Sequence, residues 1–229
     1  MRAGAVMTAV AAICGVASAA AARPRVPHTT PVAQRAPVEW PRPEVLAVAL
    51  RAYECGQAAG YFRTTPLLTI IDYSLPSTTR RLWVLDVPRR EIVFHELVAH
   101  GEGSGDNFAS RFSNRPGSRR SSLGLFRTED VYRGEHGVSL RLAGLEPGVN
   151  DRASERAIVI HAAPYVSPSM IAARGRLGRS WGCPAVEPGV HRRLIERIKG
   201  GTALVAYYPD DAWLGASRFL RCTEQLARD

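Results

Sequence analysis

Lysine is almost absent from this 229-residue chain, although the chain is strongly basic. Lys199 is the only lysine, so arginine supplies nearly all of the 30 cationic side chains, which outnumber 21 acidic ones and give a net charge of +9. A basic surface favours anionic partners. The sequence nevertheless has no run of five or more Lys or Arg residues and no nucleic-acid-binding motif. We therefore predict that the protein does not bind nucleic acid.

Long apolar runs are also missing beyond the N-terminus, so no later stretch is suited to cross a membrane. Arg2 is followed by an Ala/Val/Ile-rich run and by small residues up to Ala22, which is the pattern of a secretory signal peptide. We predict that residues 1–22 are removed on export, which leaves no stable membrane insertion. Residues 23–43, which contain six prolines, are predicted to be a linker, and residues 44–229 a single domain.

Cysteine is scarce, and its number is odd once the signal peptide is removed. The chain has 4 cysteines, of which Cys55, Cys183 and Cys222 would remain. An odd count in an exported protein leaves one thiol unpaired. Cys55 and Cys222 lie near the two ends of the mature domain, and chain ends often lie close together. We predict a disulfide between these two and a reduced Cys183; three unpaired, buried cysteines remain the alternative.

Metal-binding motifs are absent as well. The sequence contains no C-x-x-C, H-x-x-x-H or H-E-x-x-H spacing. Four side chains could still converge on a zinc ion in three dimensions, namely His100, His136, His161 and Cys183. We predict no metal and no cofactor, with zinc as a rival hypothesis.

Hydrophobic patterning predicts one mostly β domain with a few helices. Apolar residues recur at helical spacing in residues 44–59 and 189–199, and residues 150–156 are suited to a single helical turn. Residues 101–122 are rich in Gly, Ser, Asn and Arg and predict a long loop, which in a compact domain is usually functional. Short β-favouring runs separated by turn residues lie at 67–73, 81–87, 91–100, 122–127, 139–142, 157–161 and 203–208.

A histidine and a cysteine mark the candidate site. His161 ends the apolar run 157–161, and Cys183 follows Gly182 in a predicted turn, 183 − 161 = 22 positions later. A thiol needs a neighbouring base to be nucleophilic at neutral pH, and histidine is its usual partner. The N–H groups of Gly182 and Cys183 are candidates for an oxyanion hole. A resting ion pair and a neutral pair that transfers its proton during attack both remain open.

Two alternatives do not use this thiol for catalysis. Gly103-Ser104-Gly105 offers a serine, but it lacks the five-residue G-x-S-x-G form and does not lie between a predicted strand and a helix, so a serine hydrolase is disfavoured. A pure binding module, in which Cys183 is a small structural residue, is the other alternative.

Longer segments of the chain resemble a known family. His161, a gap of 18 residues and then Ser180-x-Gly182-Cys183 are similar to the active-site signature of L,D-transpeptidases. Trp181 stands where the broader family has a second His, so substrate handling is expected to differ. The resemblance covers about residues 67–208 and extends to a murein L,D-transpeptidase catalytic-domain subfamily of Gram-negative bacteria, through the segments 100–105 (HGEGSG), 112–114 (FSN), 121–124 (SSLG), 137–140 (GVSL) and 178–185 (GRSWGCPA).

The resemblance implies an L,D-transpeptidase-type β-sandwich with an N-terminal helix and an enzyme that acts on peptidoglycan peptide stems in the periplasm. Cys183 would attack the carbonyl before the terminal D-amino acid of a tetrapeptide stem. His161 would take the thiol proton and return it to the leaving amine. A backbone carbonyl at or near Ser180 would complete the catalytic group.

The resemblance also suggests how the substrate is held and where the acyl group goes. Arg176 and Arg179 are the nearest basic residues in sequence and would bind a stem carboxylate, beside Trp181. Transfer to an amine would cross-link two stems, whereas transfer to water would make the protein an L,D-carboxypeptidase. A non-catalytic wall-binding module is the remaining alternative, and the sequence leaves the acceptor and the oligomeric state open.

Overall fold

The computed structural model describes Met1, Gly4 and residues 39–62, 66–135 and 137–222. Nearly all of the predicted signal peptide (1–22) and most of the predicted linker (23–43) therefore lie outside the described residues. Within the described part, no helix has the length and apolar character that crossing a membrane requires.

The described residues contain nine strands, which are hydrogen-bonded into one continuous sheet. In chain order they are β1 Leu67–Asp72, β2 Leu82–Asp86, β3 Glu91–Glu96, β4 Val98–Ala99, β5 Gly124–Gly134, β6 Gly137–Gly144, β7 Val159–Ala162, β8 Ala185–Val186 and β9 Ala203–Tyr207. Their order across the sheet is β3-β2-β1-β9-β5-β6-β7-β8-β4. The pairs β1/β9 and β7/β8 are parallel, and the other pairs are antiparallel.

Burial explains which strands lie at the centre of this sheet. Every residue of β1, β2 and β9 is buried, and the three sequences are almost continuously apolar, as expected for strands covered on both faces. The edge strand β3 is half-buried and begins at the exposed Glu91, because a charged edge is protected against pairing with other chains.

The described residues also contain four α-helices: α1 Pro43–Ala58, α2 Pro168–Arg174, α3 Pro188–Ile198 and α4 Asp211–Ala216. Three of them begin with proline, which needs no backbone N–H in the first turn. Side-chain caps start α2 and α4, where Ser167 accepts from Met170 N and Asp210 accepts from Trp213 N. The apolar face of α3 is buried through Val190, Leu194, Ile195 and Ile198.

The predicted mostly β fold with a few helices is confirmed, although several elements differ in detail. The predicted strand 91–100 is interrupted at Leu97, which separates β3 from β4, and β5 continues seven residues beyond its predicted end at Arg127. Residues 150–156 form successive turns instead of a helical turn. The reason is Asn150, whose side chain accepts from Glu146 N and donates to the carbonyls of Leu123 and Leu125.

The two ends of the domain are joined covalently. Cys55, buried near the end of α1, forms a disulfide with Cys222, and their Cα atoms are 5.9 Å apart across a separation of 167 positions. Arg51 of the same helix donates to Leu220 O. Within the described part of the chain, Cys183 is the cysteine that remains reduced.

Candidate active site

Two short parallel strands, β7 and β8, bring the predicted pair close together. His161 of β7 lies opposite Ala185 of β8, and its backbone N–H donates to Pro184 O at 3.4 Å. Cys183 immediately precedes Pro184 and lies two residues before β8, beside the strand that carries the imidazole. Residues 22 positions apart in sequence therefore become neighbours through strand pairing.

The His161 ring is buried and oriented by the backbone. Its Nδ1 lies 3.0 Å from Ala162 O. A carbonyl oxygen can only accept, so Nδ1 carries the proton and Nε2 is the nitrogen that can accept one. The imidazole therefore has the tautomer that a general base requires. The carbonyl that contacts Nδ1 is that of Ala162, and an orienting role for the region of Ser180 stays a prediction.

Ser180 instead organises the turn that carries the cysteine. Its hydroxyl donates to Cys183 O at 2.6 Å and accepts from Gly182 N at 3.1 Å. Its carbonyl accepts from Glu102 N at 2.8 Å, which ties the turn to the long loop. The Gly182 N–H is thus already bonded, so Cys183 N–H is the stronger of the two oxyanion-hole candidates.

Gly182 is required at its position by geometry. Its φ of +124° lies in a region that side chains disfavour, and a Cβ there would meet Arg120 O at 2.9 Å. The loop that carries Arg120 therefore packs directly on the backbone beside the cysteine.

The Cys183 thiol is partly buried and faces a backbone acceptor. Its Sγ donates to Ala157 O at 3.6 Å. Burial raises the pKa of the thiol. The backbone N–H groups of Val159 and Cys183 and the positive charge of Arg156 act against this rise. Burial is the largest of these effects, so the pKa of the thiol is raised and the neutral form is favoured. This favours the neutral pair over the resting ion pair.

The two arginines predicted to bind substrate carboxylates both reach one acidic residue of the long loop. Arg179 Nη1 lies 2.9 Å from an Asp106 carboxylate oxygen, and Arg176 Nε lies 3.5 Å from the same oxygen. Arg179 also donates to Gly105 O. A substrate carboxylate at this place would have to displace Asp106, whose side chain is 78% exposed and whose ion pairs are correspondingly weak.

Trp181 lies next to the nucleophile and is 71% exposed. The Arg119 guanidinium stacks on its ring at 4.7 Å from the centroid, and Arg119 also pairs with Glu102 at 2.5 Å. The residue that departs from the broader family pattern is therefore an exposed aromatic platform at the mouth of the site.

No cluster of metal-donor side chains in the described part of the chain supports the zinc hypothesis. Within the described residues no group of three or more His, Cys, Asp and Glu side chains could hold a metal ion, and His136 lies outside them. His100 has protein partners at both ring nitrogens, Arg81 Nη2 at 2.8 Å and Gly105 O at 3.4 Å. Burial, followed by the Arg81 charge, lowers the pKa of His100 to about 4.

The serine-hydrolase alternative is also disfavoured by geometry. Ser104 is fully buried, and its hydroxyl oxygen accepts from Ser121 N at 2.9 Å. It supports the loop beneath the cysteine turn and does not face an open site.

Sequence patterns did not identify Ser121 and Arg156, which contact the turn that carries Cys183. Ser121 Oγ donates to Gly182 O at 3.1 Å and accepts from Gly101 N at 3.0 Å. Arg156 reaches the cysteine turn from the segment that precedes β7. No spacing in the sequence distinguishes these residues, because they meet only through the fold.

The structure thus places a reduced cysteine and a buried histidine beside each other at the paired strands β7 and β8 of a mostly β domain. The family model for the L,D-transpeptidase catalytic domain matches residues 39–207, and the chain belongs to this family. A search of curated proteins finds none that matches.

Several solved structures are similar to the chain. They include an L,D-transpeptidase from Mycobacterium smegmatis, with 13% identity, a TM-score of 0.38, and coverage of 62% of this chain and 59% of that one. An L,D-transpeptidase from Mycobacterium tuberculosis H37Rv has 12% identity, a TM-score of 0.39, and coverage of 62% and 58%. One from Stackebrandtia nassauensis has 15% identity, a TM-score of 0.38, and coverage of 71% and 65%. The chain thus spans less than two thirds of each of these structures.

Proposed function

We propose that the protein is a peptidoglycan L,D-transpeptidase in which Cys183 is the nucleophile and His161 is the general base. The observation that carries this proposal is the reduced thiol just before β8, beside a histidine whose Nδ1 is held by Ala162 O. Family membership supports the chemistry, and the substrate class is that of the family.

The first half of the reaction forms an acyl-enzyme. His161 Nε2 takes the thiol proton, and the Cys183 sulfur attacks the carbonyl carbon that precedes the terminal D-amino acid of a tetrapeptide stem. The oxygen of the tetrahedral intermediate accepts from Cys183 N–H. When the C–N bond breaks, the protonated His161 gives its proton to the leaving amine, and a thioester remains.

The second half regenerates the thiol. An amine of a second stem attacks the thioester carbonyl, the C–S bond breaks, and the amine's proton reaches the sulfur through His161. The product is a new amide cross-link. If water attacks instead, the product is a shortened stem, which is the L,D-carboxypeptidase alternative.

Export belongs to the same proposal, because the substrate lies outside the inner membrane. Residues 1–22 would direct the chain to the periplasm, and the oxidising conditions there suit the Cys55–Cys222 disulfide. N-terminal sequencing of the protein from a periplasmic extract tests this step, with a new terminus near Arg23 as the expected result.

Turnover of purified tetrapeptide muropeptides, followed by mass spectrometry, tests the function. The exported protein is expected to give a covalent acyl adduct on the Cys183 peptide and a cross-linked dimer. Shortened stems without dimers would point to the carboxypeptidase. Absence of both products and of the adduct, with retained binding to intact peptidoglycan, would point to a non-catalytic wall-binding module.

A further inference from the structure

Arg156 places a positive charge beside the cysteine turn. It is the last residue before Ala157, whose carbonyl accepts from the Cys183 thiol. A Cβ built on Gly182 would lie 3.2 Å from Arg156 Nη2, so the guanidinium packs against the residue that precedes the nucleophile. The charge also favours the thiolate form of Cys183.

Neutral acceptors hold this guanidinium in place. Nη1 donates to Ser113 O at 2.7 Å and to Ser122 Oγ at 2.5 Å. Nη2 donates to Arg120 O at 2.5 Å, with Ser118 Oγ further away at 3.4 Å. These acceptors fix the position of the cation, but none of them carries a compensating charge.

Arg156 differs in this respect from the arginine four positions earlier. Arg152 is exposed and its Nε lies 2.8 Å from a Glu155 carboxylate oxygen. Within the described residues, no carboxylate forms an ion pair with Arg156. A half-buried cation without a counter-ion is unfavourable by itself, and the burial lowers the pKa of Arg156. An anion at the thiol would supply the missing charge.

The backbone next to Arg156 is also unusual. Ala157 has φ of +51°, a left-handed conformation that is strained for alanine and that is typical of functional sites. This conformation directs Ala157 O to the sulfur, while the Val159 N–H lowers the pKa of the thiol and so favours the thiolate. Residues 157–159 thus provide a hydrogen-bond acceptor for the neutral thiol and a donor for the thiolate.

We propose that Arg156 is a positioning residue for Cys183, whose guanidinium stabilises the thiolate when His161 removes the thiol proton. The inference rests on the proposed function, since it assigns a role to Arg156 in the same thiol chemistry. The neutral thiol is held by Ala157 O at rest. After proton transfer, the sulfur anion is stabilised by Val159 N–H and by the positive charge of Arg156.

The other ionisable groups around the sulfur are compatible with this assignment. His161 approaches from β7, Tyr73 from the end of β1, and Tyr165 from the segment after β7. Burial is the main reason that the pKa of each tyrosine is raised to about 12, so both are neutral wherever the thiol titrates. Arg156 is therefore the permanent cation that acts on this thiol.

Alkylation of Cys183 by iodoacetamide as a function of pH tests the proposal without any substrate. Arg156→Gln is expected to raise the thiol pKa by about one unit, the low end of the effect of one adjacent charge. Arg156→Lys keeps the charge and is expected to stay close to the parent protein. Arg152→Gln is the matched control and is expected to leave the thiol pKa unchanged.

Turnover supplies a second readout. Arg156→Gln is expected to lower kcat about tenfold at neutral pH with little change in KM, and to recover as the pH rises. Arg156→Met, which keeps most of the aliphatic length, is a second neutral variant in case Arg156→Gln does not fold. If either folded neutral variant has the thiol pKa of the parent, or if Lys and Gln impair the enzyme equally, Arg156 is only structural. That result would leave the proposed function intact, because muropeptide turnover by the parent protein and its loss in Cys183→Ala test the function separately.

Discussion

The two cysteine regions of this domain contain the same side chain but differ in what surrounds it. Cys55 is buried in α1 and lies within bonding distance of Cys222, with Cα atoms 5.9 Å apart. Cys183 is only partly buried, faces the Ala157 carbonyl and lies near the Arg156 charge. The first region holds the chain ends together, and the second leaves a reduced sulfur for the proposed chemistry. Position in the fold, and not residue type, therefore distinguishes the disulfide cysteines from the proposed nucleophile.

Removing the reactive sulfur should give the largest effect. Cys183→Ala is expected to reduce muropeptide turnover by more than about 10⁴-fold, the scale observed when a nucleophile is removed, with an almost unchanged urea unfolding curve. Product formation measured by mass spectrometry is the assay. Cys222→Ala is the contrasting variant, and it should retain turnover per folded molecule. Turnover by Cys183→Ala would falsify the thiol mechanism.

Removing the base tests whether the reactive region depends on its histidine. His161→Ala is expected to lose about 10²–10⁴-fold in kcat, the usual contribution of general-base help. His191→Ala serves as the control, because His191 lies on α3 and contacts Pro188 O. If both variants retain parental kcat, His161 is not the base.

Breaking the structural region should affect stability instead of chemistry. Cys55→Ser combined with Cys222→Ser is expected to lower the free energy of unfolding by about 4–5 kcal/mol in the chain-entropy description of a long closed loop. Urea unfolding, together with peptide mapping under non-reducing conditions, provides the measurement. A linked peptide that contains Cys183 in the active preparation would mean that the nucleophile has been misassigned.

The smallest effect concerns the resting charge of the reactive thiol. Burial favours the uncharged form and so raises the pKa of Cys183. The thiolate fraction at neutral pH should therefore be smaller than that of a free cysteine, and the alkylation rate should reach half its maximum above about pH 8.5. Free cysteine in the same buffer is the control. A midpoint below the free value would indicate a resting ion pair with His161 instead of the neutral pair.

Local patterns were sufficient to predict most of the framework. Apolar runs and helical spacing located α1, α3, β1, β2 and β9 to within about a residue at most ends, because the periodicity of burial is determined by nearby residues. The helices α2 and α4 were missed, since they have 7 and 6 residues. Helices this short depend on their Ser167 and Asp210 caps and on packing more than on periodicity.

The sequence by itself determined the residue types that the chemistry needs: a reducible pair near the chain ends, a third cysteine after a glycine, and a histidine at a strand end. Tertiary structure alone decided which groups serve them. Ala162 O orients the His161 ring. Asp106 forms ion pairs with Arg176 and Arg179, and the Arg156 guanidinium packs against the cysteine turn. The physical reason is that these contacts depend on the pairing of β7 with β8 and on the packing of the loop 101–122, and neither leaves a periodic trace along the chain.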